Sequence, residues 1–131
     1  MPYSENIVRL EELTPRLIDT GILFNLFKHA NDLIAVANIN GHFIFLNDKW
    51  EKLLGYTKEE MTSNPIVEFL HPDDIKSTEE IMARMNNDKV GVESFFNRYK
   101  TKDNGYIKLC WSSSPFINGL CYAIARKCPL A

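Results

Sequence analysis

The stretch 41–74, GHFIFLNDKWEKLLGYTKEEMTSNPIVEFLHPDD, constrains the fold more than any other part of the chain. It opens as a strand directly after Asn40-Gly41, the dipeptide that most strongly signals a tight hairpin. It passes through Asn47-Asp48 into a short helix, breaks at Gly55-Tyr56-Thr57, and ends on His71-Pro72-Asp73-Asp74, which reads as the start of a longer helix. A chain that folds a strand back on its predecessor and then lays down several short helices has few architectures open to it.

The flanking segments narrow them further. Residues 33–39 are rich in Ile, Val and Ala and read as the first strand, with 43–46 returning beside it. Alternation along 43–47 predicts Phe43, Phe45 and Asn47 on one face, with Ile44 and Leu46 on the other. Asp48 is placed to cap a helix over 49–54, and Thr57-Lys58-Glu59-Glu60 fits a capping box. Pro65 breaks what precedes it, and 66–70 form a further helical turn anchored by Phe69. Proline at the first position and carboxylates in the first turn favour the helix after His71. Its apolar residues, Ile75, Ile81, Met82 and Met85, recur at helical spacing until Asn86-Asn87-Asp88. Three strands follow, over 92–102, 106–114 and 120–127, joined by Asp103-Asn104-Gly105 and by 115–119. In the first of them, Phe96, Arg98 and Lys100 share one face and Phe95, Asn97 and Tyr99 the other. Tight turns make antiparallel neighbours. The expectation is an α+β domain: a five-stranded antiparallel sheet with short helices inserted between strands 2 and 3, all on one face.

Ahead of this lies a lead-in helix. Thr14-Pro15 reads as a cap with proline at the first turn, and Leu17, Ile18, Ile22, Leu23, Phe24, Leu26 and Phe27 make a wider stripe than one packing face requires. Either the helix covers its own sheet, or Leu23 and Phe27 meet a second copy of the chain.

Length and charge bound the function. The chain has 131 residues, suiting one domain, and its 45% hydrophobic content is enough for a core without staples. A net charge of -2 leaves no electrostatic footprint for nucleic acid or an anionic membrane. The longest apolar runs fall far short of a membrane span, and the polar N-terminus does not resemble a secretory signal, so a cytoplasmic setting is expected. Cys110, Cys121 and Cys128 are odd in number and lack metal-type spacing; they read as reduced thiols, although a cross-strand Cys110–Cys128 pairing is conceivable. The adjacent carboxylates Glu59-Glu60, Asp73-Asp74 and Glu79-Glu80 point to different sides of their helices, which suits them poorly to acid/base work. His29, His42 and His71 have no metal-ligand spacing, and no nucleophile elbow or phosphate loop is present. These patterns point away from an enzyme and toward a binding or relay module.

The segments DLIAVANINGHFIFLNDKWEKLLGYTKEEM, EFLHPDD and ESFFNRYKTKDNGYIKLCWSSSP followed by LCYAIAR, in that order and spacing, resemble a PAS domain over about 24–126. The resemblance implies an arm and the start of the lead-in helix over 1–22, the PAS domain over 23–128, and a tail over 129–131. It implies a sheet cupping a pocket beneath its helices, and a sensory or relay role in bacterial signalling. Such a module homodimerises and regulates an output domain in cis, expected to be a histidine kinase, otherwise a diguanylate cyclase or a transcription regulator. The alternative is a ligand-free protein–protein interaction domain. Two departures stand out. The family's usual closing Asp-Ile-Thr is replaced by Arg126-Lys127-Cys128-Pro129, and a tryptophan often found after the hairpin turn is Lys108. The abrupt stop at Ala131 leads us to expect a piece of a longer protein.

The identity of any cofactor is left open, but two are argued against. Covalent flavin chemistry in the light-sensing branch requires a cysteine where this chain has Val67, and haem-binding members carry an axial histidine in the long helix, where 73–87 holds none. The pocket wall is expected to be Ile34, Val36, Phe45, Trp50, Leu54, Phe69, Ile81, Phe96 and Trp111, unless these groups fill the space themselves. Arg98, if it faced inward, would favour a carboxylate ligand; otherwise it lies over the sheet with its head in water.

Overall fold

The computed structural model describes residues 26–28 and 30–129. Five strands among them form one antiparallel sheet: β1 (Leu33–Asn38), β2 (Phe43–Leu46), β3 (Val92–Lys100), β4 (Tyr106–Ser113) and β5 (Leu120–Lys127), in the order β2-β1-β5-β4-β3. Between β2 and β3 lie α1 (Lys49–Leu54), α2 (Lys58–Thr62), a 3-10 turn (Ile66–Phe69) and α3 (Pro72–Asn87). The expected architecture and insertion point are those of the structure, with β1, β3 and β4 one or two residues shorter than the sequence pattern suggested.

Local chemistry explains most boundaries. The Thr57 side chain accepts from Glu60 N–H while the Glu60 carboxylate accepts from Thr57 N–H, completing the capping box of α2. His71 caps α3 by accepting from Asp73 N–H through Nδ1 at 3.0 Å. Gly55 ends α1 at φ 92°, a left-handed conformation that suits glycine. Asp48 behaves differently from expectation. It makes no side-chain cap bond, and its carboxylate accepts instead from Lys58 Nζ at 2.6 Å, tying α1 to α2.

The register of β2 corrects the simple alternation. Ala37 pairs with Phe43 but Val36 with Phe45, so Ile44 is an extra residue in a bulge. The bulge turns Phe43 and Leu46 both inward, each 3% exposed, and leaves Phe45 on the outer face opposite Val36. Asn47 then enters α1 buried and fully used. It accepts from Ile34 N–H at 3.0 Å and donates to the carbonyls of Asp32 and Phe27.

Ion pairs at the rim tie the helices to the sheet. The Asp74 carboxylate accepts from Arg98 N–H, Nε and Nη2 at 2.7, 2.9 and 2.7 Å, docking the start of α3 on the edge strand β3. Lys102 reaches Glu60 at 3.0 Å and ties α2 to the β3–β4 turn. Among the described residues, no helix is long and apolar enough to cross a membrane.

Candidate functional site: a cavity under the long helix

The inner face of the sheet is uneven, and this creates the site. On one side, Trp50 of α1 is fully buried against Phe43, Tyr99 and Trp111, with ring centroids 5.2, 5.7 and 5.7 Å away. That half of the hollow is filled. On the other side, β1 and β5 present Ala35, Ala37 and Ala123 beneath α3. Alanine reaches too short a distance from the sheet to meet the helix, and Ile81, Met82 and Met85 do not close the gap. A cavity of about 60 Å³ remains, walled also by Phe95, Tyr99, Trp111 and Cys121.

A chain of buried polar groups crosses this wall. Trp111 Nε1 donates to Asn97 Oδ1 at 2.8 Å, and Asn97 Nδ2 donates to Thr78 Oγ1 at 3.2 Å. Among the described residues, no buried side-chain nitrogen or oxygen lacks a partner. The polar groups are thus satisfied by one another, and what they offer an occupant is mainly apolar contact. Burial raises the Tyr99 phenol far above its ordinary value and also raises the Cys121 thiol, so both are neutral. No carboxylate, ammonium or guanidinium lines the space. An ion entering it would lose hydration with nothing to replace it.

The nine expected wall residues and Arg98 divide sharply. Ile81 and Trp111 line the cavity. Trp50, Leu54 and Phe69 are core residues packed beside it. Ile34, Val36, Phe45, Phe96 and Arg98 stand on the other face of the sheet, which corrects the expectation that they wall the same hollow. Period-two alternation is the reason. Once Leu33, Ala35 and Ala37 face in, Ile34 and Val36 face out, paired with Ile124 and Tyr122. Once Asn97 and Tyr99 face in, Phe96 and Arg98 cannot. Phe96 is 49% exposed, with Lys108 Nζ 5.1 Å over its ring, and Arg98 folds round the edge to Asp74. Arg98 is therefore not an inward group awaiting a carboxylate ligand. The residues missed were the small ones: alternating alanines in LIAVA and CYAIA were the signal of a hollowed wall.

Of the dimer candidates, Leu23 lies outside the described residues. Phe27 belongs to a helical piece over 26–28, is exposed, and sets its ring edge-on to Phe45 at 6.3 Å. Cys110, Cys121 and Cys128 are free thiols. Among the described residues, no group of histidine, cysteine or carboxylate side chains is arranged to hold a metal ion.

Comparison with known proteins agrees with this architecture. A family model described as the PAS fold matches residues 21–122. The PAS domain of a Desulfitobacterium hafniense protein is 25% identical with a TM-score of 0.66, covering 79% of this chain and 99% of that one. A PAS domain from Colwellia psychrerythraea is 24% identical with a TM-score of 0.68, covering 79% and 92%. A domain of a sensory box sensor histidine kinase/response regulator from Geobacter sulfurreducens is 20% identical with a TM-score of 0.68, covering 83% and 97%. With the family model matching most of its length and the sheet order and helix placement in agreement, the chain belongs to the PAS family.

Proposed function

We propose that this chain is a sensory module of a signalling protein that takes a small, uncharged, largely apolar molecule into the cavity beneath α3. The observation that carries the reading is the cavity itself, a hollow of about 60 Å³ beside a cluster of four aromatic rings packed tilted and edge-on. Its lining has no charged side chain, which favours a neutral occupant. Its volume is far below the roughly 300–1,000 Å³ of pockets that hold drug-sized ligands, so flavin and haem rings do not suit it. Occupancy would press on α3, whose N-terminus is tied to β3 through Asp74 and Arg98. The sheet is the route by which that pressure reaches a partner.

The outer face is the proposed output surface. Tyr122, Ile124 and Phe96 are about half exposed there, and Phe45 and Phe27 adjoin them. A second copy of the chain would cover this apolar face, with the lead-in segment beside it. The output domain in cis is proposed to be a histidine kinase, as in the Geobacter relative. The same exposed face also supports a second reading, a ligand-free interaction domain that holds a different protein.

Native mass spectrometry of the purified protein, followed by extraction and identification of small molecules, separates the two. A stoichiometric neutral compound, whose readdition raises the melting temperature, is the expected result. No bound compound, and no thermal shift with a library of small neutral molecules, would favour the interaction domain.

A further inference from the structure

The cavity has a neighbour. A groove of about 450 Å³ runs outside α3, between the β1–β2 turn at Asn40-Gly41, the 3-10 turn and Phe116. Three residues, Ile66, Thr78 and Met82, line both spaces and form the partition between them.

Two of the three are held in place. Ile66 is 4% exposed, and its N–H donates to the Gly41 carbonyl at 2.8 Å. Thr78 is 5% exposed, and its hydroxyl oxygen accepts from Asn97. Met82 is half-buried and carries no polar atom that needs a partner. Its unbranched thioether has three rotatable bonds and moves at little cost. We propose that Met82 is the gate of the site: a small uncharged molecule passes from the groove into the cavity when this side chain swings aside. The inference rests on the reading of the cavity as a ligand site.

Of the other boundaries, the sheet and the second groove are harder to open. The floor is the sheet, whose strands are hydrogen-bonded to one another. A second open groove touches the cavity at Val92 and Ser113, but those two residues pair across the β3–β4 ladder. Passage there would break strand pairing, whereas passage past Met82 requires only a rotamer change.

The chain has four methionines, and three of them report on the question: Met85 lines the cavity, Met82 the partition, and Met61 lies in the closed core. The test labels the methionine methyl carbons, titrates the protein with 1-butanol, and measures exchange by NMR. Saturable shifts of Met85 and Met82 are expected, with Met61 unmoved as the internal control for folding. Met82→Ala should raise the entry rate at least tenfold, and Met82→Leu, similar in volume but branched and stiffer, should lower it several-fold. Val92→Ala, which trims the wall at the second groove, should change the rate less than Met82→Ala does. A saturable Met85 shift with the same entry rate in both Met82 variants, or a rate that responds to Val92→Ala instead, overturns the gate and leaves the ligand cavity standing. No Met85 shift in either the wild type or Met82→Ala overturns both.

Discussion

Ala123→Val should stabilise the protein. Ala123 lies on the inner face of β5 and lines the cavity, so the two added carbons enter space that already exists. Burying them contributes at most about 1.6 kcal/mol at roughly 0.8 kcal/mol per carbon. Restricted rotamers and imperfect fit should reduce this to about 1 kcal/mol, a rise of roughly 3–5 °C in melting temperature for a chain of this size. The control is Ala125→Val, two residues along the same strand and face. Ala125 is 0% exposed, does not line the cavity, and sits opposite Trp111. The same two carbons have no space there, and overpacking should cost about 1–3 kcal/mol. Valine also suits a strand better than alanine at both sites, so the difference between the variants isolates the cavity. Urea unfolding followed by tryptophan fluorescence and circular dichroism measures both. Equal destabilisation by the two substitutions would mean instead that side chains already occupy the space and that no cavity is there.

Three further outcomes follow from the same contacts. Asn97→Leu leaves the Trp111 indole N–H and the Thr78 hydroxyl without their partner, and urea unfolding should show a loss of about 2–4 kcal/mol. Asn47→Asp keeps the oxygen that accepts from Ile34 N–H but removes the two N–H donors to Phe27 and Asp32, placing a carboxylate against two carbonyls. Its melting temperature should fall well below that of wild type, with hydrogen exchange at 26–28 accelerated most. Hydrogen bonding from the Arg98 guanidinium holds the Asp74 carboxyl below its ordinary 3.8. A depressed acid contributes stability above the unfolded value and loses it as the pH falls through the folded one. Wild type and Asp74→Asn should therefore differ in urea midpoint at pH 6, and the gap should shrink as the pH falls below 3.8; a gap that stays constant through the acid range would argue against the linkage.

The legible parts of this fold are those decided within a few residues. Asn40-Gly41, the Thr57–Glu60 box and Pro72 after His71 each determine a turn or a helix end by short-range chemistry, and each lies where the pattern placed it. The order of elements followed, since tight turns leave little choice of neighbour. What the pattern did not reveal is which face of each strand looks inward. LIAVAN is apolar on both faces, so hydrophobicity alone favoured Ile34 and Val36 over the alanines between them. The structure makes the opposite choice because the outer face is apolar too, and the helices sit over the smaller residues. The bulge at Ile44 was equally hidden, since one extra residue reverses the alternation without changing the composition. Phe96 and Arg98 were misplaced for the same reason as Ile34: a single choice of face carries a whole strand with it.

Soaking crystals of the protein under xenon pressure asks whether the space beneath α3 is empty, because xenon enters apolar cavities without needing a hydrogen-bond partner. A xenon atom is expected beneath α3, in contact with Ala123, Met85 and Trp111. No xenon at that position, with the methionines of α3 packed down onto Ala35 and Ala123, would contradict it.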